Sequence, residues 1–398
     1  MQASIKHNRN NACLNCALKR LRMCPFFEIY ERRAIAIKLK HKISEKLPRN
    51  KEALMNVVKA TFQASLKRRR KRPISSLYYE AAIALLKFLL EESYLGDKRL
   101  PAFVDYVFSL FYTLRAVLSD VKPITCSKCG LVFYGFTNYC PKCKQALYSS
   151  YSNFRKYHAT KPEEDVIGRM GAGISWAIMD AIITDEYIVF EGWRIQGIPI
   201  EADLLVTDSN RTITHVLILE AKAHPAMYIP VIVKGDAKIE APYVKPNSLN
   251  ATDIINSFLS QVDFTNFCNV WWGLWRRQKE MLRKAEGLLF GNKRPYDDTK
   301  NKPGIERTDD MKKALAQMIM FSILRSRCRA YKFYAGIFSN VFPRGIWGTL
   351  LKEVLKFSLS SKVAEGIIEF RPISAVIGLT ENYILEEDVS HMFKTSLN

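Results

Sequence analysis

Hydrophobic and polar positions divide this chain into a helical first third and a mixed remainder. Over residues 26–122, Ala, Leu, Lys and Glu dominate, and apolar residues recur three and four apart in Leu54–Leu66 and Tyr79–Leu90, the spacing of one helix face. Pro48, Pro73, Gly96 and Pro101 punctuate these segments. A Tyr/Ser-rich connector follows near residue 150. Pro162 then predicts a helix start, with Glu163, Glu164 and Asp165 in the first turn, a placement that suits the helix dipole. Val166, Ile167, Met170, Ile174 and Ala177 form its apolar stripe. From there the period shortens. Tyr187–Phe190 reads as a strand, and Ile195–His224 as a hairpin whose two apolar runs flank the polar turn Asp208-Ser209-Asn210-Arg211. A helix from about Asp310 to Arg327, a strand over Lys332–Phe338 and another over Ile367–Ile377 complete the pattern. Helix and strand alternation from Glu164 to Phe338 predicts an α/β fold, a mixed sheet flanked by helices.

The stretch 225–308 carries the weakest pattern. Pro225, Pro230, Pro242 and Pro246 break it, and 291–307 is polar and loop-like. Phe264–Arg277 is strongly aromatic, with Trp271, Trp272 and Trp275. It reads either as a helix packed on a core by its tryptophans or as a lid facing substrate.

Composition narrows the class. With 48% hydrophobic and 25% charged residues the chain is globular rather than disordered, and 398 residues leave room for two or three domains. No run reaches the roughly 18 uninterrupted apolar residues of a membrane span; Phe103–Leu118 and Ala81–Leu90 contain Asp105, Arg115 or Lys87. Lys6 and Arg9 are followed by polar Asn and Cys rather than an apolar core, unlike a secretory signal. The expectation is a cytoplasmic protein with no membrane partner.

Charge points to a polyanionic partner. The net charge is +21, and residues 1–122 carry 25 basic and 10 acidic side chains, +15 of that total. The run Lys67-Arg68-Arg69-Arg70-Lys71-Arg72 stands between two predicted helices. It reads as a phosphate-contacting segment or as a solvated helix end.

Nine cysteines add metal chemistry. Without a secretory signal, clustered C-x-x-C pairs indicate metal rather than disulfides. Cys126-Ser-Lys-Cys129-Gly and Cys140-Pro-Lys-Cys143 are two such knuckles, with Gly130 permitting a tight turn. They resemble a zinc ribbon, in which four thiolates hold a structural Zn²⁺ with no open position. Phe133, Tyr134, Phe136 and Tyr139, near Lys128, Lys142 and Lys144, could stack on nucleic acid or pack the ribbon. Cys13, Cys16 and Cys24 form a smaller group. His7 could complete a zinc site there, or Cys268 or Cys328 an iron–sulfur cluster; ordinary reduced thiols are the third reading.

Acidic residues interrupt the apolar hairpin strands at Asp203 and Glu220, and Lys222 follows. Strand alternation points Glu220, Lys222 and His224 the same way, with Asp203 on the neighbouring strand. Buried carboxylates are costly unless paired or bound to metal, so the set reads as a divalent-cation site with a cationic helper, or as a hairpin edge with a surface ion pair. Asp203 and Glu220-Ala221-Lys222 resemble the PD-(D/E)XK nuclease superfamily, especially its RecB-like and archaeal branches, over roughly residues 155–340. That resemblance implies a restriction-endonuclease-like fold, Mg²⁺ or Mn²⁺ on Asp203 and Glu220, and Lys222 stabilising or activating the attacking water. It also implies a helical glutamate before the first core strand, matched by Glu164, and a helical glutamine after the lysine, matched by Gln317. Dipole compensation and a plain surface position are the competing readings of those two.

The expected organisation is a Cys-rich segment over 1–25, a basic helical domain over 26–122, a zinc ribbon over 123–149 and a nuclease domain over 150–398 with an insertion at about 225–308. The expected function is metal-dependent hydrolysis of duplex or single-stranded DNA, alone or within a DNA-processing complex. The alternatives are a catalytically silent recruitment module that binds DNA through the ribbon, and an RNA-processing nuclease.

Overall fold

The computed structural model describes residues 51–66, 74–90, 99–135, 140–143, 145, 147, 164–194, 201–210, 213–226, 230–235, 244–259, 264–273, 304–306, 308–326, 332–343, 346–356, 359–363, 366–370, 373–380, 384–385 and 387–394. His7, Cys13, Cys16, Cys24, Lys67–Arg72, Phe136, Tyr139, Lys144, Glu163, Trp275 and Cys328 lie outside these residues.

In chain order the elements begin with helices α1 (Lys51–Leu66), α2 (Ile74–Leu89) and α3 (Arg99–Leu118), then strands β1 (Ile124–Thr125) and β2 (Val132–Tyr134). Next come α4 (Glu164–Ile182), β3 (Tyr187–Arg194), β4 (Glu201–Asp208), β5 (His215–Lys222), β6 (Val231–Lys234) and α5 (Ala251–Leu259). After a 3-10 turn at Gly304–Glu306 follow α6 (Thr308–Ser326), β7 (Lys332–Ser339), α7 (Ile346–Lys356), β8 (Leu359–Val363) and β9 (Gly366–Phe370). The described chain closes with β10 (Ala375–Gly378), β11 (Ile384–Leu385) and the short α8 (Glu387–Ser390). The fold class is mixed α/β.

Two compact units divide these elements. One contains Ser175–Ala223 and Gly304–Asn398. Its centre is a six-stranded sheet of order β11-β10-β7-β5-β4-β3, with β5, β7 and β10 parallel and the remaining pairings antiparallel. The predicted hairpin is β4–β5, in register Leu204↔Leu219 and Val206↔Leu217. As an interior strand, β5 buries Val216 to Glu220 without interruption, which is why its sequence is near-continuously apolar rather than alternating. One helix face of α6, carrying Met311, Ala314, Met318 and Phe321, packs with Leu351 and Leu355 of α7 against Phe190, Leu205, Ile218, Ile337 and Val376. In the latter half of α4, Trp176 donates Nε1–H to Val189 O at 3.0 Å.

The strand expected over Ile367–Ile377 is instead two strands in different sheets. Among the described residues β9 pairs with β8 alone, and β10 pairs with β7 and β11. The sequence signal for the break is Pro372, since a proline supplies no ladder donor. β5 ends at Lys222, so strand alternation does not carry on to His224.

The other unit contains Pro48–Ile174 and His224–Pro303. Its helices meet through aromatic rings: Phe62, Tyr78 and Phe111 lie with centroids 5.0–5.6 Å apart. α3 is long and apolar enough to cross a membrane, yet residues 100–114 are continuously buried in protein. Asp105 on this helix accepts the Ala226 N–H at 2.7 Å and the Trp271 indole N–H at 2.6 Å. Tyr106 donates to Phe258 O amid the rings of Phe258, Phe264 and Phe267. Trp271 is fully buried, so the aromatic segment serves a core there. These bonds group residues 224–303 with the first helices and the cysteine module, whose strands β1 and β2 form one small sheet with β6.

Candidate functional site

The sheet brings Asp203, Glu220 and Lys222 together. Asp203 on β4 and Glu220 on β5 stand one step beyond the Leu204↔Leu219 pair, and Glu220 and Lys222 share a face by strand alternation. Asp203 Oδ2 accepts the Ala221 N–H at 2.8 Å, which ties its carboxylate to the end of β5. Lys222 Nζ lies 3.7 Å from Asp203 Oδ2 and bonds Glu220 Oε1. The Gln317 side-chain amide on α6 lies against the Glu220 carboxylate; the orientation that gives both groups a partner turns its nitrogen to donate to Oε1 at 2.8 Å and to Oε2. Gln317 therefore joins the cluster rather than decorating the surface.

The site sits at the C-terminal ends of the parallel strands β5 and β7, the usual ligand-binding edge of an α/β sheet. Lys222 pairs Ser339 across these strands, and Ser339 Oγ donates to Val341 O at 2.8 Å. Gly304, with φ of +54°, passes close over this edge. A side chain at Gly304 would meet Ser339 Oγ and approach Lys222 O to 3.0 Å. The glycine thus lets the 3-10 turn before α6 lie directly on the strand ends.

Electrostatics at the cluster are unbalanced. Glu220 is almost wholly buried, at 4% exposure; burial and the facing Asp203 carboxylate push its pKa up to about 8 against the pull of Lys222. Burial acts to lower Lys222, but Asp203, Glu220 and Asp310 together raise it, so the side chain stays an ammonium. Asp310 also belongs to α6, and its Oδ2 is shielded from solvent. Motif reading missed it; its signal is the seven-residue separation from Gln317, two helical turns along one face. Three carboxylates thus act on one ammonium, an excess of negative charge that a cation relieves. Hard oxygen donors suit Mg²⁺ or Mn²⁺, and Asp203, whose side chain is 33% exposed, keeps the cluster reachable.

A second centre lies in the other unit. The Sγ atoms of Cys126, Cys129, Cys140 and Cys143 fall within 4.8 Å of one another, with Cys126–Cys143 at 3.6 Å and Cys129–Cys140 at 3.4 Å. Among the described residues this is the one group of three or more His, Cys or carboxylate ligands so gathered. Each knuckle closes on its own backbone: Gly130 N–H donates to Cys126 O at 2.9 Å, and Cys140 N–H to Gln145 O at 2.8 Å. Gly130 takes φ of +69°, a left-handed turn that favours glycine.

Burial acts to raise the Cys126 thiol, but N–H groups of Cys129 and Lys128 and the neighbouring thiols bring it down to about 7. Burial pushes Cys140 up to about 12 and raises Cys143 as well. A metal-free cluster thus favours a thiolate at Cys126 beside protonated Cys140 and Cys143, and a metal ion such as zinc would bind with release of protons. Phe133 is buried in the module's core with Leu131 and Ile232, and Tyr134 donates to Val121 O at 2.9 Å. Of the aromatics read as stacking candidates, these two pack the module.

Glu164 opens α4, and its side chain lies outside the described residues. Cys268 is buried in the helical segment 264–273. Comparison with family models, curated proteins and solved structures finds no match to this chain.

Proposed function

We propose that this chain is a metal-dependent nuclease of the PD-(D/E)XK superfamily that hydrolyses DNA phosphodiester bonds. The observation carrying the proposal is the convergence of Asp203, Glu220 and Lys222 with Gln317 at the edge of a mixed α/β sheet. Asp203 and Glu220 would hold Mg²⁺ or Mn²⁺, an ion that would lower the pKa of a water and neutralise charge on the scissile phosphate. Lys222, held cationic by the surrounding carboxylates, offers its ammonium to the developing anion rather than serving as a proton acceptor. Gln317 fixes the rotamer of Glu220 through its amide. Ala221 N–H does the same for Asp203.

The four-cysteine module is read as a zinc ribbon, its ion structural because four thiolates leave no open position. Exposed Lys128 and Lys142 on its knuckles and the Lys67–Arg72 run would contact phosphates. The deciding experiment offers linear, circular and single-stranded DNA, and RNA of the same sequence, with Mg²⁺ or Mn²⁺. Cutting of DNA supports the proposal, and the circular substrate distinguishes internal cleavage from end-dependent cleavage. Cutting of RNA alone moves the assignment to an RNA-processing nuclease. Salt-sensitive DNA binding without cutting leaves a recruitment module.

A further inference from the structure

A second polar cluster occupies the opposite end of the sheet, about 23 Å from Lys222 along β5 at roughly 3.3 Å per residue. Asp208, the last residue of β4, accepts the N–H groups of Thr214 and His215 at 2.7 Å each and the Thr214 hydroxyl at 2.9 Å. Its Oδ1 lies 3.2 Å from His215 Nδ1. The carboxylate thus staples the hairpin and holds the His215 ring in place. The His215 ring meets the His391 ring edge-on, centroids 5.1 Å apart. Tyr187 packs against both, at 6.2 and 5.9 Å, and Tyr334 lies parallel to His215 at 6.5 Å.

His391 belongs to the last described segment, which is clasped to the unit by few backbone bonds. Thr184 N–H donates to Met392 O at 2.9 Å and Lys394 N–H to Ile182 O at 3.0 Å, with Ile183 and Phe393 forming an isolated bridge. Val389, Met392 and Phe393 insert their side chains into the interior. Across this clasp His391 and His215 bring two imidazoles into direct contact.

We propose that this histidine pair makes the clasp sensitive to acid: when both imidazoles carry protons, their repulsion loosens residues 387–394 from the sheet's end. The groups acting on His391 are His215 and Tyr187, which touch its ring, and Glu186, Asp208 at the hairpin and Lys332 on β7; Tyr334 stacks on His215 from its other side, and Lys394 lies on the same segment as His391. The His391 side chain is exposed; the desolvation it does undergo, then His215 and Lys332, hold it below the usual histidine range, against weaker opposite pulls from Glu186 and Asp208. A histidine with a lowered folded pKa contributes stability that is complete above its unfolded value and declines as pH falls through that value. The loosening therefore belongs below about pH 6.5.

The test is amide hydrogen exchange of the full-length protein at pH 7.5 and pH 5.0, read as protection factors after correction for intrinsic rate. Peptides covering 182–187 and 387–394 are followed. The wild type should lose protection there about twofold to fivefold at pH 5.0, the scale of an exposed charge–charge interaction, while peptides from β5 and β7 centres do not. His391→Gln and His215→Gln each remove one charge of the pair and should keep the clasp protected at pH 5.0. If His391→Gln is already unprotected at pH 7.5, His215→Gln, which leaves the clasp's own sequence intact, decides. Wild-type protection unchanged at pH 5.0, or an equal acid loss in His215→Gln, overturns the proposal.

Discussion

Replacing Glu220 by glutamine should stabilise the metal-free protein, because the native carboxylate is held in a place hostile to its charge. Its folded pKa of about 8 stands well above the ordinary glutamate value near 4.3. For a carboxylate raised in this way the unfolded state releases its proton first. Below about pH 4 both states are protonated and the group has no effect; between the two pKa values stability falls as pH rises, levelling off above about pH 8. Each unit of difference is about 1.4 kcal/mol, but Lys222 and Gln317 bond the carboxylate and the glutamine would lose part of that. A net gain on the order of 2 kcal/mol at pH 8 is expected, a melting shift of roughly 4–8 °C for a unit of this size. Differential scanning calorimetry without divalent ions, from pH 5 to 9, reads it. The wild type should lose stability relative to Glu220→Gln across that range. Addition of Mg²⁺ or Mn²⁺ should raise the melting temperature of the wild type and leave the variant nearly unmoved, since binding to the folded state alone stabilises it. A variant melting at or below the wild type at pH 8, with parallel pH profiles, would refute the charge imbalance on which the cation site rests.

Further outcomes follow from the same physical reasoning. Asp105→Ala should destabilise the helical unit by roughly 2–4 kcal/mol in chemical denaturation, because the buried Ala226 and Trp271 N–H groups lose their acceptor; a loss under 1 kcal/mol would show that they re-pair. Elemental analysis should find at least one zinc per chain, with Cys126→Ser losing it and lowering the melting temperature, whereas a metal-free folded wild type would undo the ribbon. Neutralising Lys67–Arg72, six cationic side chains, should weaken DNA binding alike across sequences. The log–log salt slope should flatten by up to about 5; an unchanged slope removes the run from the interface.

The hairpin, the α6 helix and β7 were legible because each couples strong periodicity to local punctuation. β4 and β5 carry β-branched apolar runs around a polar turn, and a carboxylate within a strand buried on both faces stands out from its neighbours. Gln317 was legible only as part of a resemblance, since its bond to Glu220 spans 97 positions and leaves no periodic trace. Asp310 was hidden among helix-start acids that dipole compensation alone would explain. The allegiance of residues 224–303 was not legible either. It depends on bonds such as Trp271 to Asp105, 166 positions apart, and on β6 joining β2, which follow from packing rather than pattern. The break between β9 and β10 was signalled by Pro372, but apolar residues on both sides outweighed it in a reading by hydrophobicity.

The most direct test of the central claim compares the wild type with Lys222→Ala and Asp203→Ala on linear DNA, with binding measured beside cleavage. With these side chains proposed to act at the scissile phosphate, cutting in Mg²⁺ or Mn²⁺ should fall by at least about a hundredfold, a usual loss for removing a charge-stabilising group. DNA affinity should stay within a few-fold, since the basic regions are the proposed source of phosphate contacts. Cleavage that survives either substitution at near wild-type rate would contradict the assignment of this cluster as the active site.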